Sequence, residues 1–345
     1  MDGRSGRVVG QRGPSMADVA REAGVSGQTV SRVMNGHLKV DGTTRQRVLE
    51  AMRRVGYRPN SAARALRNGH FRSIGVIMSA LSTFGNSRTL DAIASAAVAR
   101  GYSITLMPVG QPTQGEVTGA FSKLNEQAVD GLVILIEQHE LDRSEIELPA
   151  GLPVVVIDSN PRTDYPMVDN DQAQGAELAT THLLELGHDT VWHVAGPRHS
   201  YAAEHRGKSW RATLRRHGRT VPPVVVGDWS AESGHTLGTD LSRDPAVTAD
   251  FAANDQMALG LLRALHEQGR AVPDEVSVVG FDDMAESAHF WPPLTTVRQS
   301  FADVGRRAVD TLLTEIAWGD RKVTSIIVPT TLVLRSSTAP PRGLR

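Results

Sequence analysis

Residues 16–36 read MADVAREAGVSGQTVSRVMNG, and this stretch decides the fold of the N-terminal part of the chain. The apolar residues of MADVAREA recur at helical spacing, and Gly24 is placed to end that helix in a left-handed cap. Ser26 is a suitable N-cap for a second helix, which turns Val30 and Val33 inward and stops at Gly36. Two helices joined by a tight glycine turn predict a helix-turn-helix.

A third helix is predicted from Thr43 to Val55, with Asp41 as its N-cap. Its inward face would be Val48, Met52 and Val55, at positions i, i+4 and i+7. After Pro59 follows NSAARALRNG, a helix-prone segment that is too short to be stable alone.

The second helix of a helix-turn-helix lies in the major groove of DNA, with its N-terminal side chains at the base edges. Gln28 and Arg32 face outward there, and these side chains pair in bidentate fashion with adenine and guanine. Side chains suited to phosphates are Thr29, Ser31, Lys39 and Thr44. A generic helical hairpin with solvated polar faces remains the alternative at this point.

The formal net charge of −1 conceals a strong asymmetry along the chain. Residues 1–72 hold 14 Lys and Arg against 5 Asp and Glu, whereas the remainder holds 23 against 33. A basic head on an acidic body indicates that the head meets a polyanion. The alternative is a basic tail that only solubilises the chain.

Composition excludes several classes of protein. The 345 residues contain no cysteine, which excludes disulfide frameworks and thiolate chemistry and fits a reducing compartment. Residues 1–15 lack the long apolar run of a secretory signal, and no stretch is apolar enough to span a membrane. We therefore expect a disordered basic arm over residues 1–15 and a cytoplasmic protein.

Beyond residue 72 the pattern changes to short apolar runs, each followed by a helical segment. The runs are IGVIM, SITLMPV, GLVILI, LPVVVID, TVWHVAG, PVVVGDW, ADFAAN and VSVVGFD. Apolar strands that alternate with helices predict parallel sheets covered on both faces. The polar segment SNPRTDYPMVDNDQAQG suggests a crossing between two lobes, WPPLTTVRQSF a return crossing, and SIIVPTTLVLRSS a final strand pair.

Polar residues at the carboxyl ends of these strands are candidate ligand contacts, because open α/β sheets bind ligands there. Asp158, Asn254 and Asp282 end three strands, Trp229 follows a fourth, and Arg206 lies near the start of a helix. Such groups suit a polyhydroxylated ligand. Asp158 and Asn254 are alternatively helix caps.

Several other polar and aromatic residues are assigned structural roles. Asp283 is expected to be a cap or an inter-lobe contact, and Trp192 and Trp210 are expected in the core. His182 and His188 do not share a helical face, so no metal site is predicted.

The head from about Ser15 to Leu66 resembles the LacI/GalR family of bacterial regulators without a gap, through MADVAREAGVSGQTVSRVMNG and TTRQRVLEAMRRVGYRPNSAARAL. The body resembles the same family through VDNDQAQGAELATTHLLELGH, NDQMALG and VPDEVSVVGFDD. The resemblance implies a small all-α head and an α/β body of two lobes, similar to periplasmic binding proteins. The domains would be a helix-turn-helix over 16–59, a hinge helix and linker over 60–72, and an effector-binding and dimerisation domain over 73–345.

The resemblance also implies roles for single residues. Gln28 and Arg32 would read bases, Tyr57 and Asn60 would contact the DNA backbone, and Leu66 would be a wedge in the minor groove. Further DNA contacts would be Ser26, Asn35 and Ala63. Relatives carry a large side chain where this chain has Gly27, so their operator sequence does not transfer.

For the body, the resemblance implies effector contacts at the positions where sugar-responsive members bind their inducer. These positions are Arg206, Trp229, Asn254, Asp282 and Phe301, with Asp158 added from its strand end.

Three function classes were compared. A repressor released by a small sugar, a glucoside or galactoside, is favoured, and a purine is the rival effector because Trp229 could stack on a base. An enzyme is disfavoured because the chain has no Gly-rich dinucleotide fingerprint, no P-loop and no cysteine, so no cofactor is expected. A transport-binding protein is disfavoured by the basic helical head. We expect a homodimer on a pseudo-palindromic operator, because the end APPRGLR has no heptad pattern for a tetramer.

Overall fold

The computed structural model describes residues 13–34, 39–57, 69–79, 81–110, 114–136, 151–158, 165–319 and 323–342. The chain divides into two compact units, Met1–Phe71 and Arg72–Arg345. Most of the predicted arm (residues 1–12) and of the predicted hinge (residues 60–68) lies outside the described residues. The same holds for four predicted DNA contacts, Asn35, Asn60, Ala63 and Leu66.

The first unit contains the three predicted helices, which are α1 (Met16–Ala23), α2 (Gly27–Met34) and α3 (Gly42–Val55). At the start of α1 the amide of Ser15 donates to the Asp18 carboxylate at 2.9 Å, and the amide of Asp18 donates to the Ser15 hydroxyl at 3.3 Å. This reciprocal pair is a capping box. Gly24 ends α1 with φ 61° and ψ 40°, which confirms the predicted left-handed cap.

The predicted caps of α2 and α3 are also present. The amide of Thr29 donates to the Ser26 hydroxyl at 3.2 Å. The amide of Thr43 donates to one oxygen of Asp41 at 2.8 Å, and the amide of Thr44 donates to the other at 3.2 Å. Each helix of the first unit therefore begins where a polar side chain satisfies its free amides.

The core of the first unit consists of small and β-branched side chains. It contains Val19, Ala23, Val30, Val33, Val48 and Ala51. The predicted inward face of α3 is confirmed, since Val48 is in this core and Met52 and Val55 are half-buried against it, and Ala51, 2% exposed, is a further member that was not predicted. Val48 and Ala51 are three residues apart and share one face, where α3 packs closely against α1.

The strands of the second unit, within the described residues, follow one another in this order: β1 (Ser73–Met78), β2 (Ser103–Pro108), β3 (Gly131–Leu135), β4 (Val154–Ile157), β5 (Met167–Asn170), β6 (Trp192–Ala195), β7 (Val225–Val226), β8 (Ala249–Ala252), β9 (Ser277–Asp282), β10 (Thr295–Arg298), β11 (Ser325–Val328) and β12 (Thr331–Val333). The helices between them are α4 (Phe84–Ala99), α5 (Gln114–Glu126), α6 (Gln172–Glu185), α7 (Tyr201–Arg216), α8 (Ala231–Leu241), α9 (Asp255–Glu267) and α10 (Phe301–Trp318), and a 3₁₀ turn spans Ala285–His289.

These strands form two six-stranded sheets, as the alternating pattern predicts. The sheet of the first lobe has the order β11-β5-β4-β3-β1-β2, and that of the second lobe has the order β12-β10-β9-β8-β6-β7. Neighbouring strands are parallel except β12, which runs antiparallel to β10. Apolar clusters lie on both faces of each sheet, against α4 and α10 or α5 in the first lobe, and against α8 and α9 or α6 and α7 in the second. None of the described helices is both long and apolar enough to cross a membrane.

Both predicted crossings are present, because the chain passes between the lobes at Asp171 and at Gln299–Ser300, but each predicted segment also contains a strand that the sequence pattern did not reveal. The segment taken as a polar crossing contains β5, whose Asp169 and Asn170 are each only 5% exposed. The segment taken as a return crossing contains β10, whose buried Thr296 hydroxyl donates to Asp255 at 2.5 Å. Buried polar residues with partners interrupt the continuous apolar pattern by which a central strand is recognised.

One prediction about the connections needs correction, and it concerns the last two strands. They do not pair with each other, because β11 pairs with β5 in the first lobe and β12 pairs with β10 in the second. Within the part of the second unit that the structure describes, the chain therefore crosses between the lobes three times, at Asp171, at Gln299–Ser300 and at Pro329–Thr330. The crossings lie side by side: the amide of Ser300 donates to the Asn170 side chain at 3.0 Å, and the amide of Thr330 donates to the Gln174 side chain at 2.8 Å.

Candidate functional site

In the first unit, α2 presents a polar face opposite its buried valines. Gln28 and Arg32, the predicted base readers, are both exposed. Ser26 and Thr29 lie at the start of the helix, and their hydroxyl oxygens are 3.0 Å apart. The helix thus offers an amide and a guanidinium to an outside partner, while Ser26 is engaged in capping.

The other described DNA contacts vary in exposure. Lys39 is exposed, whereas Thr44 and Tyr57 are half-buried. The Thr44 hydroxyl donates to Asp41 at 2.6 Å, so its oxygen remains available only as an acceptor of a second bond. Tyr57 packs against the core of the first unit with its ring.

In the second unit, a cavity lies at the carboxyl ends of strands from both lobes. All six predicted effector contacts line it, although they come from six separate segments of the chain. The full lining consists of Thr83, Phe84, Gly85, Asn86, Thr89, Leu135, Ile157, Asp158, Asp169, Asn170, Gln172, Ser200, Ala202, Arg206, Trp229, Asn254, Asp282, Gln299, Phe301 and Val304.

Arg206 extends from α7 and is 4% exposed. Its Nε donates to the Gln172 side chain at 2.8 Å, and its Nη1 donates to the Ala253 carbonyl at 2.5 Å. Its guanidinium also lies over the Phe281 ring, 3.7 Å from the centroid, in a cation–π arrangement. Burial lowers the pKa of Arg206, an effect that Asp282 opposes. The protein itself therefore holds this cation in one orientation.

Asp282 and two glutamines close a ring with Arg206. Gln299 Nε2 donates to Asp282 Oδ1 at 2.6 Å, Gln172 Nε2 donates to Gln299 Oε1 at 3.1 Å, and Arg206 Nη2 lies 3.9 Å from Asp282 Oδ1. Burial raises the pKa of Asp282 to about 7, although Arg206 favours the charged form. Gln172 follows the crossing at Asp171, and Gln299 lies in the second crossing. The ring therefore connects the cavity to two of the crossings between the lobes.

Asp158 and Asp169 form the first-lobe end of the cavity. Burial raises the pKa of Asp158 to about 6, against the effect of Arg206. The pKa of Asp169 lies well above its usual value, chiefly because of burial and then because of the neighbouring Asp158 charge. Oδ1 of Asp158 is fully enclosed and has no hydrogen-bond partner.

Asn254 and Trp229 line the second-lobe side. Asn254 is the N-cap of α9, since its side-chain oxygen accepts from the Met257 amide at 2.8 Å, so the structural alternative for Asn254 is present. Its Nδ2 also donates to the Trp229 carbonyl at 3.0 Å. The indole rests directly on Gly196, where an added Cβ would lie only 2.3 Å from the Trp229 ring. The ring plane is thus fixed by a close backbone approach.

Phe301 begins α10, and Phe84 begins α4. Their rings meet edge to face with centroids 5.9 Å apart. Together with Trp229 they give the cavity apolar surfaces between its polar groups.

Three lining residues have left-handed backbones, which non-glycine residues rarely adopt. Asp158 has φ 60°, Trp229 has φ 75° and Asp282 has φ 118°. Such conformations persist where the surrounding structure imposes them, and they cluster at ligand sites. Their concentration here marks the cavity independently of its chemistry.

Sequence reasoning missed Asp169, Gln172, Gln299 and Phe84. Asp169 would have been found from its strand end if MVDN had been recognised as a strand. The two glutamines carry no local signal, because each acts through a partner far away in the chain.

The residues assigned structural roles behave mostly as predicted. Trp210 is fully buried and donates to the Val191 carbonyl at 2.9 Å, whereas Trp192 is half-buried against the second-lobe core. Asp283 is neither a cap nor an inter-lobe contact, since it pairs with Arg298 and Arg335, each at 2.6 Å within the second lobe. Among the described residues, no group of His, Asp and Glu is arranged to hold a metal ion.

Comparison with known proteins gives consistent matches. The family described as bacterial regulatory proteins, lacI family, matches residues 15–60, and a periplasmic binding protein-like domain matches residues 180–338. The lactose operon repressor of Escherichia coli (strain K12) is 35% identical over 331 residues, covering 95% of this chain and 91% of that protein. The HTH-type transcriptional repressor PurR of Haemophilus influenzae (strain PittEE) is 31% identical over 330 residues, covering 94% of this chain and 98% of that protein.

Solved structures are similar over the same length. A lac repressor dimer bound to operator and the anti-inducer ONPF has a TM-score of 0.85 and 34% identity, covering 95% of this chain and all of that chain. A complex of the transcriptional regulator CelR with cellobiose has a TM-score of 0.70 and 30% identity, covering 94% of this chain and 99% of that chain.

Proposed function

The chain belongs to the LacI family of bacterial regulatory proteins, and from this premise we propose that it represses sugar-utilisation genes until a glucoside or galactoside releases it from its operator. It is a DNA-binding transcriptional repressor with an effector-binding domain, and regulators of this family are not enzymes. The finer assignments of effector, contact residues and domain limits form the proposal.

On the DNA side, Gln28 and Arg32 read base edges from the exposed face of α2. The DNA backbone is contacted by Thr29, Ser31, Lys39, Thr44, Tyr57 and Asn60, which position the head. Ser26, Asn35 and Ala63 are further DNA contacts. Leu66 is the hinge wedge in the minor groove. The head is residues 16–59, preceded by an arm over 1–15 and followed by the hinge over 60–72 and the effector domain over 73–345.

On the effector side, one observation carries the proposal. Asp158, Arg206, Trp229, Asn254, Asp282 and Phe301 line a single cavity that combines polar groups of fixed direction with flat apolar faces. Hydroxyl groups of a sugar donate to carboxylates, and its ring faces stack on aromatic side chains. The structurally similar regulator CelR is in complex with cellobiose, which supports a sugar.

A purine is the second candidate effector, because Trp229 could stack on a purine base. The chain is also similar to the transcriptional repressors named PurR. Three lining carboxyl groups favour the sugar, since many hydroxyls can donate to them whereas a purine offers few donors.

Relatives bind DNA as dimers, and a homodimer on a pseudo-palindromic operator is proposed for this chain. Binding to operator DNA would place the protein at the nucleoid in the cytoplasm.

A thermal-shift panel with the full chain tests the effector class. Glucose, galactose, cellobiose, lactose, hypoxanthine and guanine are compared at equal concentration, because a ligand of the native state raises its melting temperature. We expect at least one sugar, and neither purine, to raise it. That sugar should also release operator DNA in a mobility-shift assay, and stabilisation by a purine alone would refute the sugar assignment.

A further inference from the structure

The first-lobe end of the cavity brings two carboxyl groups together on adjacent strands. Strands β4 and β5 are parallel, with Ile157 opposite Val168. Asp158 comes directly after β4, where the backbone turns left-handed, and Asp169 follows Val168 within β5, so both lie at the same edge of the sheet. Both line the same cavity.

The charges around this pair do not balance within the described lining. Asp158, Asp169 and Asp282 supply three carboxyl groups, and Arg206 supplies one guanidinium. Arg206 is already committed, since it donates to Gln172 and the Ala253 carbonyl, and its nearest carboxylate is Asp282. The Asp158–Asp169 pair therefore has no cation of its own among these residues.

We propose that the effector presents a protonated amine to the Asp158–Asp169 pair, and so is an amino sugar. This rests on the proposed function and narrows its ligand class. A hydroxyl donates a hydrogen bond to a carboxylate but leaves its charge in place, whereas an ammonium group donates bonds and neutralises it. Two adjacent buried carboxylates are therefore stabilised more by an ammonium group than by a hydroxyl group.

The protonation state of the Asp158–Asp169 pair before a ligand binds follows from the same geometry. Two neighbouring carboxyl groups that are buried together cannot both ionise easily, so at neutral pH the pair retains a proton. An arriving ammonium group keeps its own proton and displaces the one on the pair, which goes to the buffer. Arg206 and Asp282 face the pair from the second lobe and remain paired with each other. Amine binding therefore releases up to one proton.

The remainder of the cavity suits the ring of such a ligand. Trp229, Phe84 and Phe301 offer apolar faces, and Asn254 and Asp282 lie on the second-lobe side. The amine would point to the first lobe while the ring hydroxyls reach the second. One ligand thus contacts both lobes.

Calorimetry on the full chain near pH 6 tests the inference with matched pairs, glucosamine against glucose and galactosamine against galactose. At least one amino sugar should bind about tenfold or more tightly than its neutral counterpart. Repeating the titration in buffers of different ionisation enthalpy should show proton release for the amino sugar and none for the neutral sugar.

Two variants locate the effect. Asp169→Asn can still accept from the Asn170 amide, as Asp169 does at 2.6 Å, so it should fold, and it should abolish the preference for the amine. Asp171→Asn is the matched control, because Asp171 caps α6 outside the cavity lining and should leave the preference intact.

The possible outcomes separate this inference from the proposed function. If neutral sugars bind as tightly as the amino sugars, or if Asp169→Asn keeps the preference, the amine assignment is wrong and the sugar-responsive repressor stands. If only hypoxanthine or guanine binds, or if no sugar binds, both are wrong.

Discussion

Single residues of the cavity serve two purposes at once. Arg206 lines the cavity, yet it already donates to Gln172 and the Ala253 carbonyl and lies over the Phe281 ring. Asn254 caps α9 while it lines the cavity. A substitution in the cavity therefore changes the free energy of unfolding as well as ligand binding, and the two effects need separate measurement.

Arg206→Ala should abolish release from the operator by sugar while leaving operator binding intact below the melting temperature. It should also lower the free energy of unfolding by about 3 kcal/mol, because Asp282 stays buried without its cation. Mobility shifts at low temperature and thermal melts measure the two effects. Arg215→Ala, an exposed arginine on the same helix, should behave as wild type. If Arg206→Ala responds to sugar at wild-type concentrations, its assignment as an effector contact is wrong.

Asp250 predicts a pH dependence of stability in the second lobe. It is 0% exposed on β8, and burial raises its pKa to about 7. Since the unfolded value is lower, the folded state binds more protons, and stability falls as pH rises from about 4 towards 7. Asp250→Asn removes this loss. The difference in free energy of unfolding between this variant and wild type should therefore grow in favour of the variant as pH rises, by up to about 1.4 kcal/mol per pH unit in that window.

Urea unfolding at several pH values measures that difference. Asp189→Asn removes a fully exposed carboxylate and should not change the slope. Parallel curves for wild type and Asp250→Asn would contradict the prediction.

At the scale of elements, glycines and helix caps define the helix-turn-helix, and the three crossings define the connection between the two lobes. Gly24 supplies the left-handed residue between α1 and α2, and Arg47 reaches from α3 to the Ala23 carbonyl at 2.7 Å to complete the same turn. In the second unit the three crossings bond to one another and to the cavity ring through Gln172 and Gln299. The crossings between the lobes therefore carry side chains that also line the cavity.

Gly24→Ala should lower the free energy of unfolding of the first unit by about 1 kcal/mol, because φ 61° strains any side chain there. The added Cβ would also lie 3.2 Å from Arg47 Nη2. Gly27→Ala is the control, since its Cβ meets nothing within 4 Å, and a helical alanine should be neutral or stabilising. Hydrogen exchange of the first-unit amides reports both. Equal effects of the two substitutions would exclude the conformational explanation.

At the scale of the whole molecule, the charge distribution along the chain and the two-fold symmetry of a pair of chains both bear on DNA binding. The first 72 residues carry the excess of basic side chains, and the rest carries the excess of acidic ones. A single head reads only a few base pairs, so specificity requires two heads on two half-sites. The body supplies both the effector cavity and the pairing of chains in this proposal.

Light scattering at micromolar concentration should give twice the 37.2 kDa chain mass, with and without operator. Two-fold symmetry in the protein matches two-fold symmetry in a pseudo-palindrome, and the similar lac repressor structure is a dimer on operator. Operator cut to one half-site, the control, should bind far more weakly. A tetramer, or a monomer that binds the full operator as tightly, would count against the dimer.

The sequence by itself determined the features that depend on near neighbours. Helix spacing, the left-handed Gly24 and the caps at Ser26 and Asp41 are local, and so the three helices of the head could be predicted almost to their residue limits. The strand-end rule likewise identified Asp158, Asn254 and Asp282, because an apolar run followed by a polar residue is a local pattern. Only the tertiary structure decided what lies far apart in the chain. Strands β5 and β10 are polar and could be identified only from the partners of their buried side chains. Strands β11 and β12 belong to different sheets. Gln172 donates to Gln299, which is 127 residues away in the chain. Such contacts depend on how the lobes pack together, and no local pattern of residues encodes them.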